Sequence, residues 1–274
     1  LGGRPFRRSA AARRIARRVG GRGRAVGLGV PGVFTPVALL VVIALARMLP
    51  RSWPLWGAVA AAALTMIGSF VYPVVVEPLF NSFTPMRTGS LRSDVFALAS
   101  KEHVHIDDVL VADASRRTTT LNAYVSGFGS TRRVVVYDTL LTGLPQKETE
   151  MIVAHELGHA KDRDAERAAL LGAIGAAAAV VALYLLGEWG ALLRRAGVSS
   201  IGSPTAIGLV LAAVAVAGLV SGPVQNLVSR RVEARADQHA LRLTGDSAEF
   251  AAMQLRLAEA NISDVHPPRI EYLL

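Results

Sequence analysis

Long runs without a formal charge constrain this chain more than any other feature. Residues 52–76 (SWPLWGAVAAAALTMIGSFVYPVVV), 168–187 (AALLGAIGAAAAVVALYLLG) and 196–229 contain no Asp, Glu, Lys or Arg, and residues 25–46 form a fourth such run. A helix needs about 20 apolar residues to cross the hydrocarbon core of a bilayer. The first three runs meet that length. The run at 25–46 is weaker, because Gly27, Gly29, Pro31 and Gly32 crowd its start and Arg47 closes it. One such run is compatible with a buried hairpin of a soluble protein, but several in one chain argue for a multi-pass membrane protein. Gly and Ala are frequent in 168–187 and 196–229, which suits close helix–helix approach in lipid. Charged residues make up only 19% of the chain and the mean hydropathy is +0.38, in keeping with that class.

Charge is unevenly placed. The net charge is +9, yet residues 1–24 alone hold Arg4, Arg7, Arg8, Arg13, Arg14, Arg17, Arg18, Arg22 and Arg24, with no acidic residue. Setting those nine aside leaves 21 basic against 21 acidic residues. A nucleic-acid-binding domain needs its cations on a folded face, so no nucleic-acid partner is expected. The basic segment reads as a disordered cytoplasmic arm ahead of a signal-anchor helix, attracted weakly to anionic lipid head groups. The chain starts with Leu1, as expected of a fragment or processed form. It has no Cys, which excludes disulfides, thiol nucleophiles and Cys-ligated zinc.

The polar blocks between and after the spans carry the chemistry. In the first, Ser90 is positioned to cap a helix over about 91–103, followed by strands over 109–111, 119–125 and 133–137 with a Gly127/Gly129 turn. His103 and His105 alternate on an extended stretch and read as exposed strand residues. Residues 148–167 read as one long helix, and it contains His155-Glu156-Leu157-Gly158-His159. Two His at i and i+4 share a helical face and converge on one ion, and the intervening Glu is placed to take a proton from an activated water. A catalytic zinc keeps three protein ligands and an open position. His239 and His266 lie downstream, but Glu233 is the better third ligand, since Glu233 and Asp237 stand at i and i+4 in SRRVEARAD. Between His159 and Glu233 lie two spans, 168–187 and 204–228. Two crossings bring the chain back to the side it left, so these ligands can meet.

HELGH at 155–159 followed by SRRVEARAD at 229–237 resembles the integral-membrane zinc metalloproteases of the type I CAAX prenyl endopeptidase family, related to the bacterial heat-shock membrane metalloprotease. Tyr72-Pro73, Glu77-Pro78-Leu79-Phe80-Asn81 and Phe83-Thr84-Pro85-Met86 resemble the start of that family's catalytic domain, and residues 116–141 are similar to its central sheet. The resemblance covers about residues 55–274. It implies one zinc per chain held by His155, His159 and Glu233, with Glu156 activating water and Asp237 assisting. It also implies that Asn122, Ala123 and Tyr124 line an edge strand to which an extended substrate adds. The family's later His-Pro motif supplies an oxyanion donor. His266-Pro267 looks like it, but the flanking residues resemble the stretch before that motif, so His266 is expected to be a loop residue.

The expected architecture is a mainly α, multi-pass helical bundle bearing a gluzincin-like α+β zinc-protease domain with a small sheet. Its parts are a basic arm (1–33), a transmembrane hairpin (34–76), a catalytic block with the HExxH helix (77–167), a second transmembrane hairpin (168–229), and a third-ligand helix with a truncated C-terminal part (230–274). The expected function is zinc-dependent hydrolysis of peptide bonds in the cell membrane, with the catalytic side cytoplasmic. Substrates would be prenylated-type C-terminal peptides or misfolded membrane proteins, and the partners a peptide or protein substrate and the bilayer. The rival expectation is a catalytically weak or inactive membrane homologue that keeps zinc as a structural element.

Overall fold

The computed structural model describes residues 51–261, together with positions 44, 48 and 49. The basic arm, most of the first expected span and His266 lie outside the described residues. The elements in chain order begin with helix α1 (Trp53–Val71), which passes through a π-helical turn (Tyr72–Val76) into the short α2 (Glu77–Phe80). Then come β1 (Phe83–Pro85), α3 (Ser90–Lys101), β2 (Asp108–Ala112), β3 (Ala123–Ser126), β4 (Arg133–Tyr137), α4 (Asp138–Gly143) and α5 (Gln146–Asp162). The described part ends with α6 (Asp164–Glu188), α7 (Gly190–Arg195), α8 (Ile207–Thr244) and α9 (Ser247–Ala260).

Among the described residues, three helices have the length and composition to cross a membrane: Trp53–Val71, Asp164–Glu188 and the stretch Pro204–Thr244 that includes α8. Their large apolar side chains face outward. Leu55, Trp56, Leu64 and Ile67 on α1, Leu170, Ile174 and Leu185 on α6, and Val214, Leu219, Val220 and Val224 on α8 are all exposed. In water such surfaces would drive association, whereas hydrocarbon solvates them. Pro223 stands inside α8, a position tolerated in a membrane helix where neighbours and local adjustment satisfy the freed carbonyl.

The chain divides into two compact units. In its described part the smaller comprises residues 51–57 and 181–211. Within its described part Leu193, Val198 and Ala206 form a buried cluster with Ile201 and Leu209 against it, and Trp53 meets Tyr184 edge-on at 6.0 Å. The larger unit, residues 58–180 and 212–261 in its described part, holds the sheet and the HExxH helix. Strand order is β1-β2-β4-β3, with β2 and β4 parallel and the outer pairs antiparallel. Val134, Val135 and Val136 make β4 buried on both faces, as a central strand should be. One face covers the main core, where Val95, Val109, Leu140, Met151, Val153, Leu157 and Met253 are fully buried.

Three local differences from the sequence reading have physical reasons. The expected strand over 119–125 is a strand only over Ala123–Ser126, with the Asn122 carbonyl at its start already bonded to β4. The side chain of Asn261 takes both main-chain groups of Leu121, accepting its N–H at 2.9 Å and donating to its carbonyl at 3.2 Å. The expected single helix over 148–167 breaks at Arg163, which adopts a left-handed conformation (φ 55°) and caps α5 before α6 restarts at Asp164. β1 was not foreseen, because three residues ending in Pro85 carry no alternation.

Candidate metal centre

Helix α5 presents His155 and His159 one turn apart, their rings edge-to-face with centroids 4.8 Å apart. Helix α8 brings Glu233 opposite them. Nε2 of His155 lies 3.1 Å from Nε2 of His159, and Oε2 of Glu233 lies 3.3 and 3.7 Å from the two nitrogens. The three groups are the set of potential ligands that converges on one point among the described residues. An ion with tetrahedral bonds of about 2.0–2.1 Å sets its donor atoms about 3.3 Å apart, so the observed spacing fits zinc.

The opposite ring nitrogens fix the tautomers. Nδ1 of His155 is 2.9 Å from Asp237 Oδ1, and Nδ1 of His159 is 2.9 Å from Asp164 Oδ2. A carboxylate only accepts, so both Nδ1 atoms carry the proton and both Nε2 lone pairs face the point of convergence. Asp237 is steadied by Gln254 of α9 at 3.4 Å. Asp164 is steadied by Arg235, whose Nη2 donates to it at 3.0 Å while its Nε lies 3.2 Å from Asp162. Helix α8 thus supplies Glu233, Arg235 and Asp237 within two turns.

The local field favours a cation. Burial works against the charged form of His155, but the Asp237 hydrogen bond and the charges of Glu156, Asp237 and Glu233 outweigh it and raise its pKa. Glu156 has a raised pKa because of burial, with the two imidazoles pulling the other way.

Gly158 explains how α8 comes this close. A Cβ at this position would lie 2.8 Å from the Cβ of His239 and 3.2 Å from the Cα of Ala236, so any side chain would wedge the two helices apart. His239 itself points away from the centre, with Nδ1 bonded to Glu102. His103 and His105 are exposed.

Strand β3 forms one edge of the sheet and packs against α5. The N–H of Tyr137 donates to the carbonyl of Asn122 at 3.0 Å, which sets the phase of the ladder. Tyr124 and Ser126 therefore point their main-chain groups at β4, while Ala123 and Val125 turn theirs to the open edge. The Ala123 side chain is buried in the core, and the Tyr124 hydroxyl donates to Glu77. Asp164 and Arg235 were given no role from sequence, and Glu77 was read only as part of the stretch resembling the start of a catalytic domain. Asp164 stands five residues after His159, off the helical repeat, and only the break at Arg163 brings it under the ring.

The profile of Peptidase family M48 matches residues 85–273, more than half of the chain. An uncharacterized metalloprotease of Bacillus subtilis, YhfN, is 29% identical over 238 residues, covering 86% of this chain and 56% of the relative. A CAAX prenyl protease 1 homolog of Oryza sativa is 34% identical over 241 residues, covering 80% of this chain and 54% of the relative. The chain thus spans about half the length of the curated relatives it matches. The crystal structure of S. mikatae Ste24p superposes with a TM-score of 0.74 at 21% identity, covering 94% of this chain and 63% of that one, and shows the same fold.

Proposed function

The chain belongs to Peptidase family M48, and from that premise we propose that it is a membrane-embedded zinc endopeptidase whose centre is His155, His159 and Glu233. The family match, the CAAX prenyl protease relatives and the apolar helices support a membrane metalloprotease. The observation that supports the finer reading is the convergence of three ligand atoms at 3.1–3.7 Å with both distal ring nitrogens held by carboxylates.

Bound there, zinc would supply Lewis acidity toward water and toward a peptide carbonyl. The remaining work falls to the chain's own groups. Glu156 takes a proton from the attacking water and carries it to the departing amine nitrogen. Asp237 and Asp164 keep the imidazoles in the tautomer that leaves Nε2 free. The open groups of Ala123 and Val125 hold an extended peptide by main-chain hydrogen bonds, so that the side-chain sequence is only loosely restricted. Substrates on this reading are C-terminal peptides of lipid-modified proteins, or damaged membrane proteins, that reach the bilayer surface in extended form. The catalytic side is cytoplasmic if the arginine-rich segment 1–24 obeys the positive-inside rule and the first two apolar segments form a hairpin.

Metal analysis of the detergent-purified protein tests the centre. One zinc per chain is expected, lost in Glu233→Ala and in His159→Ala. A metal content unchanged by either substitution would place the ion elsewhere.

A further inference from the structure

Glu77 is a buried acid, 7% exposed, that the chemistry above leaves unused. It comes directly after the π-helical turn at the end of α1 and opens α2. Both of its carboxylate oxygens are engaged, and both by the same strand. Oε1 accepts the Tyr124 hydroxyl, and Oε2 accepts Ser126 Oγ at 2.9 Å. Tyr124 and Ser126 are two residues apart on β3, so they share a face of the strand. Burial and the neighbouring carboxylate raise the pKa of the Tyr124 phenol, so it stays a donor.

β3 is a four-residue edge strand, paired with β4 along one side and packed against α5. Glu77 grips it at two points from the side chains, independently of the bonds to β4. A π-helical turn widens the helix by one residue and re-aims the next turn of the chain, and here it stands directly before the acid that makes the grip.

We propose that Glu77 is a positioning residue for substrate. It fixes the tilt of β3, so that the main-chain groups of Ala123 and Val125 present an added peptide to the metal centre in one register. The last turn of a membrane helix thereby becomes part of the substrate-binding apparatus without touching the substrate. The inference rests on reading β3 as the substrate-binding edge.

The test is steady-state cleavage of an unstructured peptide by the zinc-loaded full chain in detergent micelles. Variants are Glu77→Gln, which can accept only one of the two hydroxyls, and Tyr124→Phe, which keeps the ring and removes one donor. Losing a hydrogen bond to a charged group should raise KM about tenfold in each variant, with kcat and zinc content unchanged. In parallel, the wild type is assayed with the same peptide N-methylated at alternate amides. Methylation should raise KM comparably. If it does and KM is unchanged in either folded variant, Glu77 is structural only and the inference is wrong. If methylation leaves the wild-type KM unchanged, the edge reading fails and the inference fails with it. Should Glu77→Gln fail to fold, Tyr124→Phe decides alone.

Discussion

His155 and His159 are held in the same way by carboxylates from different elements, Asp237 in α8 and Asp164 at the start of α6. Neither acid reaches the point where the ligand atoms meet. Their effect is on orientation and basicity of the imidazoles, and outer contacts of this kind are worth about 10–100-fold in metal affinity. Asp164→Ala should therefore weaken zinc binding by that order, read by chelator competition, although it removes no ligand. An unchanged affinity would mean that the α5 helix alone orients His159. Glu148 makes a second prediction at this scale. It is fully buried at the start of α5, with Arg256 of α9 at 2.7 Å. Burial raises its pKa, Arg256 works against that, and Glu249 adds to it. In the window above the ordinary glutamate value the folded state holds more protons than the unfolded one, so stability falls as pH rises through it. Glu148→Gln removes this titration. The melting temperature of the variant minus that of wild type should grow from pH 4 toward neutrality, and a flat or shrinking difference would contradict the assignment.

Between elements, the contact that makes the centre is α5 against α8 at Gly158. Gly158→Ala should push the helices apart, costing about 1–3 kcal/mol as an overpacked contact and lowering zinc affinity. Calorimetry and chelator competition check the two effects, and an alanine variant that melts and binds as wild type would show the packing to be slack. Elements also differ in how far they could be read in advance. The HExxH spacing is a local property of one helix, so the facing of His155 and His159 was legible. The meeting with Glu233 was legible through the parity of two crossings. Asp164 was not, because a left-handed Arg163 has no strong marker in KDRD. The continuity of α8 was hidden too: the apolar and ligand-bearing parts differ in composition, yet nothing between residues 224 and 244 breaks a helix. Strand pairing was legible for β4, whose valines announce a central strand. It was overestimated at residues 119–121, where a side chain 140 residues away in sequence takes the backbone groups of Leu121.

For the whole molecule, the apolar exteriors of α1, α6 and α8 call for hydrocarbon as their solvent. A charge placed on such a surface near mid-span costs about 2.5–3.5 kcal/mol on insertion scales. Leu219→Arg, with the wild-type residue 70% exposed, should lower the membrane-inserted fraction of expressed protein, whereas the same charge at an exposed position of the polar unit such as Thr142 should not. Equal insertion of both would contradict the spanning role of α8. The polar centre sits where α6 begins and α8 nears its end, so the two longest membrane helices each contribute directly to it. Whether this centre is catalytic turns on Glu156→Gln. Cleavage of an unstructured peptide is measured for wild type and variant, each with its zinc content. The expected result is one zinc per chain in both and a loss of cleavage of at least about 10²-fold in the variant. Cleavage that persists without Glu156, or no cleavage by a wild type that holds its full zinc, would overturn the catalytic assignment.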